Sequence, residues 1–550
     1  MKKTIRVCLC LTLAVLMLLG TCAFAFADRE KVNCYDYGKY MCVGDSIAAG
    51  CALTKDGSET YFDQNAENFA YVYSEDYIYL GHNYAVVPQA YHSLVAEGLN
   101  AELLQCAKSG MRGVELRYWL DGVYNDYDET RSWDNIYFDI DGNGFTLADL
   151  DAYNEIIDYP AKVREADVIS INIGSNDVFS FTFGVVIGEL TNDSDDPTLK
   201  AIKEYLESTG NVGAAFGKLI DAYQSMGKLP ELAATLVDAL NTTYEQYKVN
   251  YDAIMEKILE INPDIVVINV GVFNPLRYVG FGSDGSTDIS FAAESVVEKM
   301  NNMLKGYEQK YANCHYADVT DTETYEQSYN DPLFWQYFTL KVHPTIAGHK
   351  YMAQQILNVV PKTLPFEDVK AGDWCYEDVL YCYENGLMKG VSDTRFAPDD
   401  TMTRGMVATV LYRMAGSPDV SGTKNPFSDL AEGRYCTDAV LWAYENGIIL
   451  GYNDGSFKPD RLITREQLAT MLYRYACAFG HADPNEKNTT ALARYIDSGK
   501  VSDFAKPAMR WAVANGIIKG KTLMTLVPQG DATRAQCATI LARFDRMINE

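Results

Sequence analysis

Val43-Gly44-Asp45-Ser46-Ile47-Ala48-Ala49-Gly50, preceded by the apolar Tyr40-Met41-Cys42, is the stretch whose reading decides the fold. A strand that ends in Gly-Asp-Ser and passes into small residues presents a hydroxyl at its carboxyl end, near a helix amino terminus. Open α/β sheets place their chemistry there. Ser46 is thus a candidate nucleophile, and the chain around it must supply a base and oxyanion donors.

From Asp28 to about Val360, short β-branched runs alternate with longer helical stretches, the pattern of a parallel sheet covered on both faces. Candidate strands are Tyr40 to Val43, Ala101 to Gln105, Val168 to Ile173 and Ile265 to Val270, with a weaker one at His315 to Val319. Helical spacing of apolar residues marks Tyr244 to Ile261 and Phe291 to Tyr311. The surplus of chain sits in Tyr118 to Tyr159 and Phe179 to Thr243, read as insertions over the active edge of the sheet. The first holds Asp139-Ile140-Asp141-Gly142-Asn143-Gly144, which begins like a calcium loop but has Leu150 where the bidentate Glu is needed, so an Asx- and Gly-rich turn is expected. The second is either an apolar lid or an added core.

With 550 residues the chain exceeds one core. Its start reads as a signal peptide over residues 1–27: Lys2, Lys3 and Arg6 precede the apolar run Val7 to Leu19, and Ala25-Phe26-Ala27 offers small residues for cleavage. Export is expected, with the mature chain starting near Asp28. A net charge of −28 argues against a nucleic-acid partner, which requires clustered Lys and Arg. Of thirteen cysteines, Cys8, Cys10 and Cys22 leave with the signal peptide, and the rest are scattered without Cys-x-x-Cys pairs or metal-type clustering with His. Neither a disulfide framework, a metal site nor a cofactor is indicated.

After Pro361 one unit occurs three times, over 362–422, 423–483 and 491–550. The first copy has Pro365-Phe366-Glu367-Asp368-Val369, Tyr383-Glu384-Asn385-Gly386, Phe396-Ala397-Pro398-Asp399 and Thr403-Arg404. The second has Pro426-Phe427-Ser428-Asp429-Leu430, Tyr444-Glu445-Asn446-Gly447, Phe457-Lys458-Pro459-Asp460 and Thr464-Arg465. In the third, Val501-Ser502-Asp503-Phe504, Ala514-Asn515-Gly516, Leu526-Val527-Pro528 and Thr533-Arg534 take those places. Each unit reads as a helix ended by Asn-Gly, a loop, and a second helix N-capped by the Thr before Arg. Trp374, Trp442 and Trp511 are read as core residues.

Three further strand or loop ends carry chemistry. Lys108-Ser109-Gly110 follows the second strand and offers a backbone N–H; Gly174-Ser175-Asn176-Asp177 follows the third and offers an amide; Val342-His343-Pro344 offers an imidazole. With Gly44-Asp45-Ser46-Ile47, these four blocks in this order resemble the SGNH, or GDSL-type, family of esterases and lipases. The resemblance covers residues 28–361 and implies a three-layer α/β/α, flavodoxin-like domain that hydrolyses an ester without a metal. It implies Ser46 as nucleophile, His343 as general base, and an oxyanion hole from the Ser46 N–H, the Gly110 N–H and the Asn176 side chain. The family's Asp three residues before the histidine is here Leu340. A main-chain oxygen near Thr339 to Lys341 is the leading substitute, Asp331 a second, and lost activity a third possibility. His349 is read as packing behind His343, and His82, His92, His315 and His481 as non-catalytic.

The triple repeat resembles S-layer homology (SLH) repeats, which implies a mostly helical module that attaches exported proteins to a secondary cell-wall polymer of bacteria. Arg404, Arg465 and Arg534, each at a helix amino terminus beside free backbone N–H groups, would suit an anionic sugar. The other reading is that each Arg holds its own loop. The whole reads as an exported, wall-attached serine esterase acting on an acyl or acetyl ester, glycan- or lipid-linked. The alternative is a surface-layer or adhesion protein whose hydrolase-like domain only binds ligand.

Overall fold

The computed structural model describes residues 31–35, 37–45, 47–49, 86–108, 111–124, 151, 154–155, 157–209, 212–274, 280–281, 287–288, 290–321, 344, 346–484 and 490–549. The chain forms two units, one Tyr35–Pro361, the other Lys362–Glu550 with the described residues before Tyr35. Val32 N–H donates to the Glu384 carbonyl (2.8 Å) and Thr363 N–H to that of Cys34 (2.6 Å), so Lys31 to Cys34 go with the repeats rather than with the residues that follow them. No helix among the described residues is long and apolar enough to cross a membrane.

The first unit is built on five parallel strands, β1 (Lys39–Gly44), β2 (Glu102–Gln105), β3 (Val168–Asn172), β4 (Val266–Val270) and β5 (Cys314–Ala317), in the order β2-β1-β3-β4-β5. All five overlap the runs read from sequence; β1, β3 and β4 are short β-branched or apolar runs, whereas β2 and β5, at the sheet edges, carry polar residues and have the weaker signal. Side chains alternate across the sheet. Tyr40, Cys42, Val168 and Ile268 face one layer with Tyr91, Val95, Met352 and Ile356. These last four come from α1 (Tyr91–Leu99) and a helix over Ile346–Val359. Met41, Val43, Ile169, Ile171 and Val267 face the opposite layer. That layer holds α2 (Gly113–Asp121), α3 (Tyr159–Glu165) and the long helices described next.

Residues 181–261 fold as α4 (Phe181–Thr191), α5 (Pro197–Thr209), α6 (Val212–Ser225) and α7 (Leu229–Ile261). The helix read as starting at Tyr244 therefore starts fifteen residues earlier, at Leu229, since its buried stripe Leu232, Leu236, Leu240, Tyr244, Tyr247 and Tyr251 is continuous. Phe183, Ile187, Phe216 and Leu219 share one apolar cluster with Ile169 and Ile171 of β3. The second insertion is thus an added core. Helix α8 (Ser290–Lys310) packs beside α7, and α9 is the Ile346–Val359 helix.

In the second unit each repeat contributes two helices: α10 (Tyr376–Glu384) and α11 (Arg404–Met414), α12 (Thr437–Glu445) and α13 (Arg465–Ala478), α14 (Lys506–Ala514) and α15 (Arg534–Asn549). Helix α12 packs on α11, α14 on α13 and α10 on α15, so the third repeat closes on the first. A single repeat cannot cover its own apolar face, and closure covers all three. Asn385, Asn446 and Asn515 end the first helices, their amides donating to the carbonyls of Tyr381, Trp442 and Trp511 at 2.8–2.9 Å. Thr403, Thr464 and Thr533 cap the second helices, each oxygen accepting an N–H at 3.3 Å.

Two sequence readings change here. The loop of each repeat is held by a carboxylate that accepts two successive N–H groups: Asp368 from Phe396 and Ala397, Asp429 from Phe457 and Lys458, Asp497 from Leu526 and Val527, all at 2.8–2.9 Å. The third repeat's counterpart of Asp368 is therefore Asp497, preceded by Tyr495 in place of Phe, and not Asp503. Asp503 lies exposed in a short helical turn and pairs with Lys506 at 2.5 Å. Trp442 and Trp511 are core residues, but Trp374 is 68% exposed, and Tyr381 fills the equivalent helical position.

Candidate active site

With the strand order 2-1-3-4-5, the sheet's switch point falls between β1 and β3, and ligands bind there beyond the carboxyl ends of the strands. Gly44 ends β1 so close to β3 that a Cβ would stand 2.3 Å from the Asn172 carbonyl. Asp45 N–H donates to that carbonyl at 3.1 Å. The turn that follows is pinned by Asp45, whose Oδ1 accepts Ile47 N–H at 2.9 Å. Ser46 itself lies outside the described residues, as do Ser109, Gly110, Asp331, Thr339 to Lys341, His343 and the Asp139 to Gly144 turn.

After β3, Gly174 takes φ 126°, in the region that favours glycine, and a Cβ there would meet Met300 at 2.7 Å and Tyr247 at 3.1 Å. The chain then enters a π-helical turn, Asn176–Ser180, that runs into α4. Asn176 is half-exposed, and its Nδ2 lies 3.4 Å from the carbonyl of Met111, the residue after Gly110. The neighbouring Asp177 is buried and accepts Gly113 N–H with both oxygens, at 2.9 and 3.0 Å. The described residues Met111 to Gly113, after β2, and Asn176 and Asp177, after β3, are thereby held side by side.

Beneath this edge lies a set of buried charges. Arg112 and Glu115 form a pair at 2.5 Å, and Glu115 also accepts Arg112 N–H at 2.8 Å. Lys108, just before Ser109, is 2% exposed; burial pulls its ammonium down to about 8 while Glu115 draws it back up. Burial pushes Asp45 up to about 7 against the pull of backbone N–H groups, and pushes Asp177 up to about 7 against Arg112. Asp45 Oδ2 is buried with no partner among the described residues, an arrangement that costs least when the carboxyl is neutral.

A carboxyl whose folded pKa is raised contributes stability that is full below its unfolded value, near ~4, and lost as pH rises through the folded value. For Asp45 and Asp177 that loss therefore runs from about 4 and is complete just above about 7. Lys108, with a lowered folded pKa, adds slope only above about 8. The unfolding midpoint of the first unit is therefore expected to fall by several degrees between about pH 5 and about pH 7.5, and Asp177→Asn to flatten the fall. Scanning calorimetry measures it; a midpoint that climbs over that range would contradict the account.

Sequence reasoning set His92 aside, and the structure gives it a role. Val87 N–H donates to its Nε2 at 3.1 Å, so Nδ1 carries the proton and donates to the Ala48 carbonyl at 2.9 Å. Gln105, at the end of β2, donates to the same carbonyl at 3.2 Å. Both hold the turn two residues beyond Ser46. The available signal was a Gln closing an apolar strand and a His in the buried stripe of α1. His349 is fully buried, accepts Tyr91 N–H at 3.2 Å and stacks on the Tyr91 ring, as expected of a packing residue.

Arg404, Arg465 and Arg534 begin α11, α13 and α15 and are 5–8% exposed. The backbone N–H groups expected to be free beside them are occupied. Arg404 and Gly405 donate to the carbonyls of Arg461 and Pro459, Arg465 and Glu466 to those of Gly530 and Pro528, and Arg534 and Ala535 to those of Asp400 and Pro398, at 2.7–3.0 Å. Each guanidinium also bonds the loop of the neighbouring repeat rather than its own, through Nε to the carbonyl of Phe457, Leu526 or Phe396. Closing the ring places the next repeat's loop, not the residue's own, over each helix start.

Residues 365–405, 426–469 and 494–538 match the S-layer homology domain, the third match beginning three residues before Asp497 as the first begins three before Asp368. Similar proteins include an endoglucanase of Bacillus sp. (strain KSM-635), 32% identical over 32% of this chain and 18% of its own length. A cellulosome-anchoring protein of Acetivibrio thermocellus is 29% identical over 28% of this chain and 35% of its own. The chain thus spans well under half of these relatives. Among solved structures, an extracellular lipase from Streptomyces rimosus aligns over 58% of this chain and 98% of its own, with 14% identity and a TM-score of 0.33. Residues 42–351, from β1 through the first turns of α9, match the model of the GDSL-like Lipase/Acylhydrolase family, and the chain belongs to that family, with three SLH repeats following the matched domain.

Proposed function

We propose that this chain is a cell-surface serine ester hydrolase. Ser46 attacks the ester carbonyl, His343 takes its proton and returns it to the leaving alcohol, and the Ser46 N–H, the Gly110 N–H and the Asn176 amide hold the oxyanion. Water then releases the acyl group by the reverse sequence. The observation that supports this reading is the pairing of Asp177 with Gly113, with Asn176 Nδ2 beside Met111, the residue that follows Gly110 in sequence. With Leu340 in place of the usual acid, a main-chain oxygen near Thr339 to Lys341 orients His343, and Asp331 is the second choice.

The three SLH repeats support attachment to an anionic secondary polymer of the bacterial cell wall, and the match to a cellulosome-anchoring protein is in keeping with it. Tethering favours an extracellular substrate, an acylated or acetylated glycan first and a lipid ester next. Turnover of acetyl, butyryl and long-chain p-nitrophenyl esters ranks these, with acetyl or butyryl expected to lead. Sedimentation with cell walls is expected for the full chain and not for a chain ending at Pro361. Wall binding with no turnover of any ester would favour instead a binding module that has lost catalysis.

A further inference from the structure

We infer that the third repeat carries a docking surface for an anionic lipid membrane, built from the tip of its loop and the turn beside it. The inference goes beyond the ester-hydrolase and wall-binding readings and depends on neither.

One backbone bond recurs in all three repeats and sets the same two positions side by side. Glu367 N–H donates to the Thr394 carbonyl at 2.8 Å, Ser428 N–H to that of Gly455 at 3.0 Å, and Ile496 N–H to that of Met524 at 3.0 Å. Together with the loop residue before the acceptor, these places hold Glu367, Asp393 and Thr394 in the first repeat and Ser428, Asp454 and Gly455 in the second. In the third they hold Ile496, Leu523 and Met524, which are 74%, 94% and 55% exposed. The bond uses main-chain atoms only, so the loop stands equally well on polar residues, as in its two sister repeats. Three adjoining apolar side chains left in water therefore point to a surface that covers them.

Charge in the same stretch is reversed. Residues 494–526 contain six basic and two acidic residues, a net +4, whereas the matching 365–396 contain three and seven and 426–457 one and five, a net −4 each. The two acids are engaged: Asp497 accepts Leu526 and Val527 N–H, and Asp503 pairs with Lys506 at 2.5 Å. Lys519 and Lys521 lead into the apolar tip, and Lys500 follows Ile496 by four residues. All three are exposed, with no side-chain hydrogen bond or ion pair among the described residues. A chain of net charge −28 thus presents a basic, apolar tip here. Exposed charges farther away than about 8 Å are largely screened at physiological ionic strength, so the acidic remainder does not cancel it. A protein partner would need a socket for a side chain as exposed as Leu523; a lipid surface takes it without one. The apolar side chains enter the headgroup boundary while the ammonium groups meet lipid phosphates.

The test is co-sedimentation of the full chain with vesicles of phosphatidylglycerol and phosphatidylcholine in equal parts, with pure phosphatidylcholine vesicles as the reference. Wild type is expected to bind the mixed vesicles about tenfold more tightly or better, and to lose that margin as salt is raised. Leu523→Ser/Met524→Ser and Lys519→Ser/Lys521→Ser are each expected to weaken binding by about tenfold or more at an unchanged melting temperature, since these side chains are exposed. Trp374→Ser, which removes an exposed apolar residue from the first repeat, is expected to leave binding within about twofold of wild type. A wild type that does not sediment with the mixed vesicles would overturn the assignment, as would unchanged binding in both double variants or an equal loss in Trp374→Ser. So would self-association, seen by ultracentrifugation without lipid and abolished by Leu523→Ser/Met524→Ser, in a chain that ignores vesicles: the tip would then join two copies.

Discussion

Replacing Ser46 with alanine is expected to lower ester turnover by about 10⁴-fold or more, leaving only what binding and the oxyanion donors provide. The size of the loss follows from the chemistry. On the proposed mechanism no acyl-enzyme can form without the hydroxyl, and the site is left with direct attack by water. His343→Ala is expected to fall to a similar level, and the double variant no further, because nucleophile and base act as a unit. The melting temperature of Ser46→Ala should stay close to that of wild type, since Gly44, Asp45 and Ile47 hold the turn through their own hydrogen bonds.

The second largest effect is expected at Asn176. Its Nδ2 lies 3.4 Å from the Met111 carbonyl, beside the segment after β2, where the proposed oxyanion would develop. Asn176→Ala is expected to lower kcat by about 10²- to 10³-fold with little change in KM, because the donor acts on charge present only in the transition state. Steady-state kinetics on an acetyl ester separates the two parameters. A rise in KM at constant kcat would place Asn176 in substrate binding instead. Asp177 is the adjoining control: Asp177→Asn keeps one acceptor for Gly113 N–H and is expected to retain most activity.

The central strands were legible because a parallel strand buried on both faces must be a short, nearly unbroken apolar run, whereas their order in the sheet emerges only from the pairing. The triple repeat was legible through its Asn-Gly helix ends and Thr-Arg helix starts, residues whose side chains cap helices locally. What sequence could not resolve depends on contacts distant along the chain. Asp503 mimics the pattern around Asp368, but only the loop decides that Asp497 carries the role. Helix α7 extends back to Leu229 because a neighbouring layer covers its stripe, and the contact of His92 with the Ala48 carbonyl joins residues forty-four apart. The arginines were correctly placed at helix starts, yet their bonds to the adjoining repeat follow from ring closure, which no local pattern encodes.

The most direct test of the account is covalent trapping of the nucleophile. The full chain is treated with a fluorophosphonate, and its intact mass and peptide map are read by mass spectrometry. The account predicts a single adduct on Ser46, abolished in Ser46→Ala and slowed in His343→Ala. An unlabelled wild type that still hydrolyses esters, or an adduct on any residue other than Ser46, would contradict it.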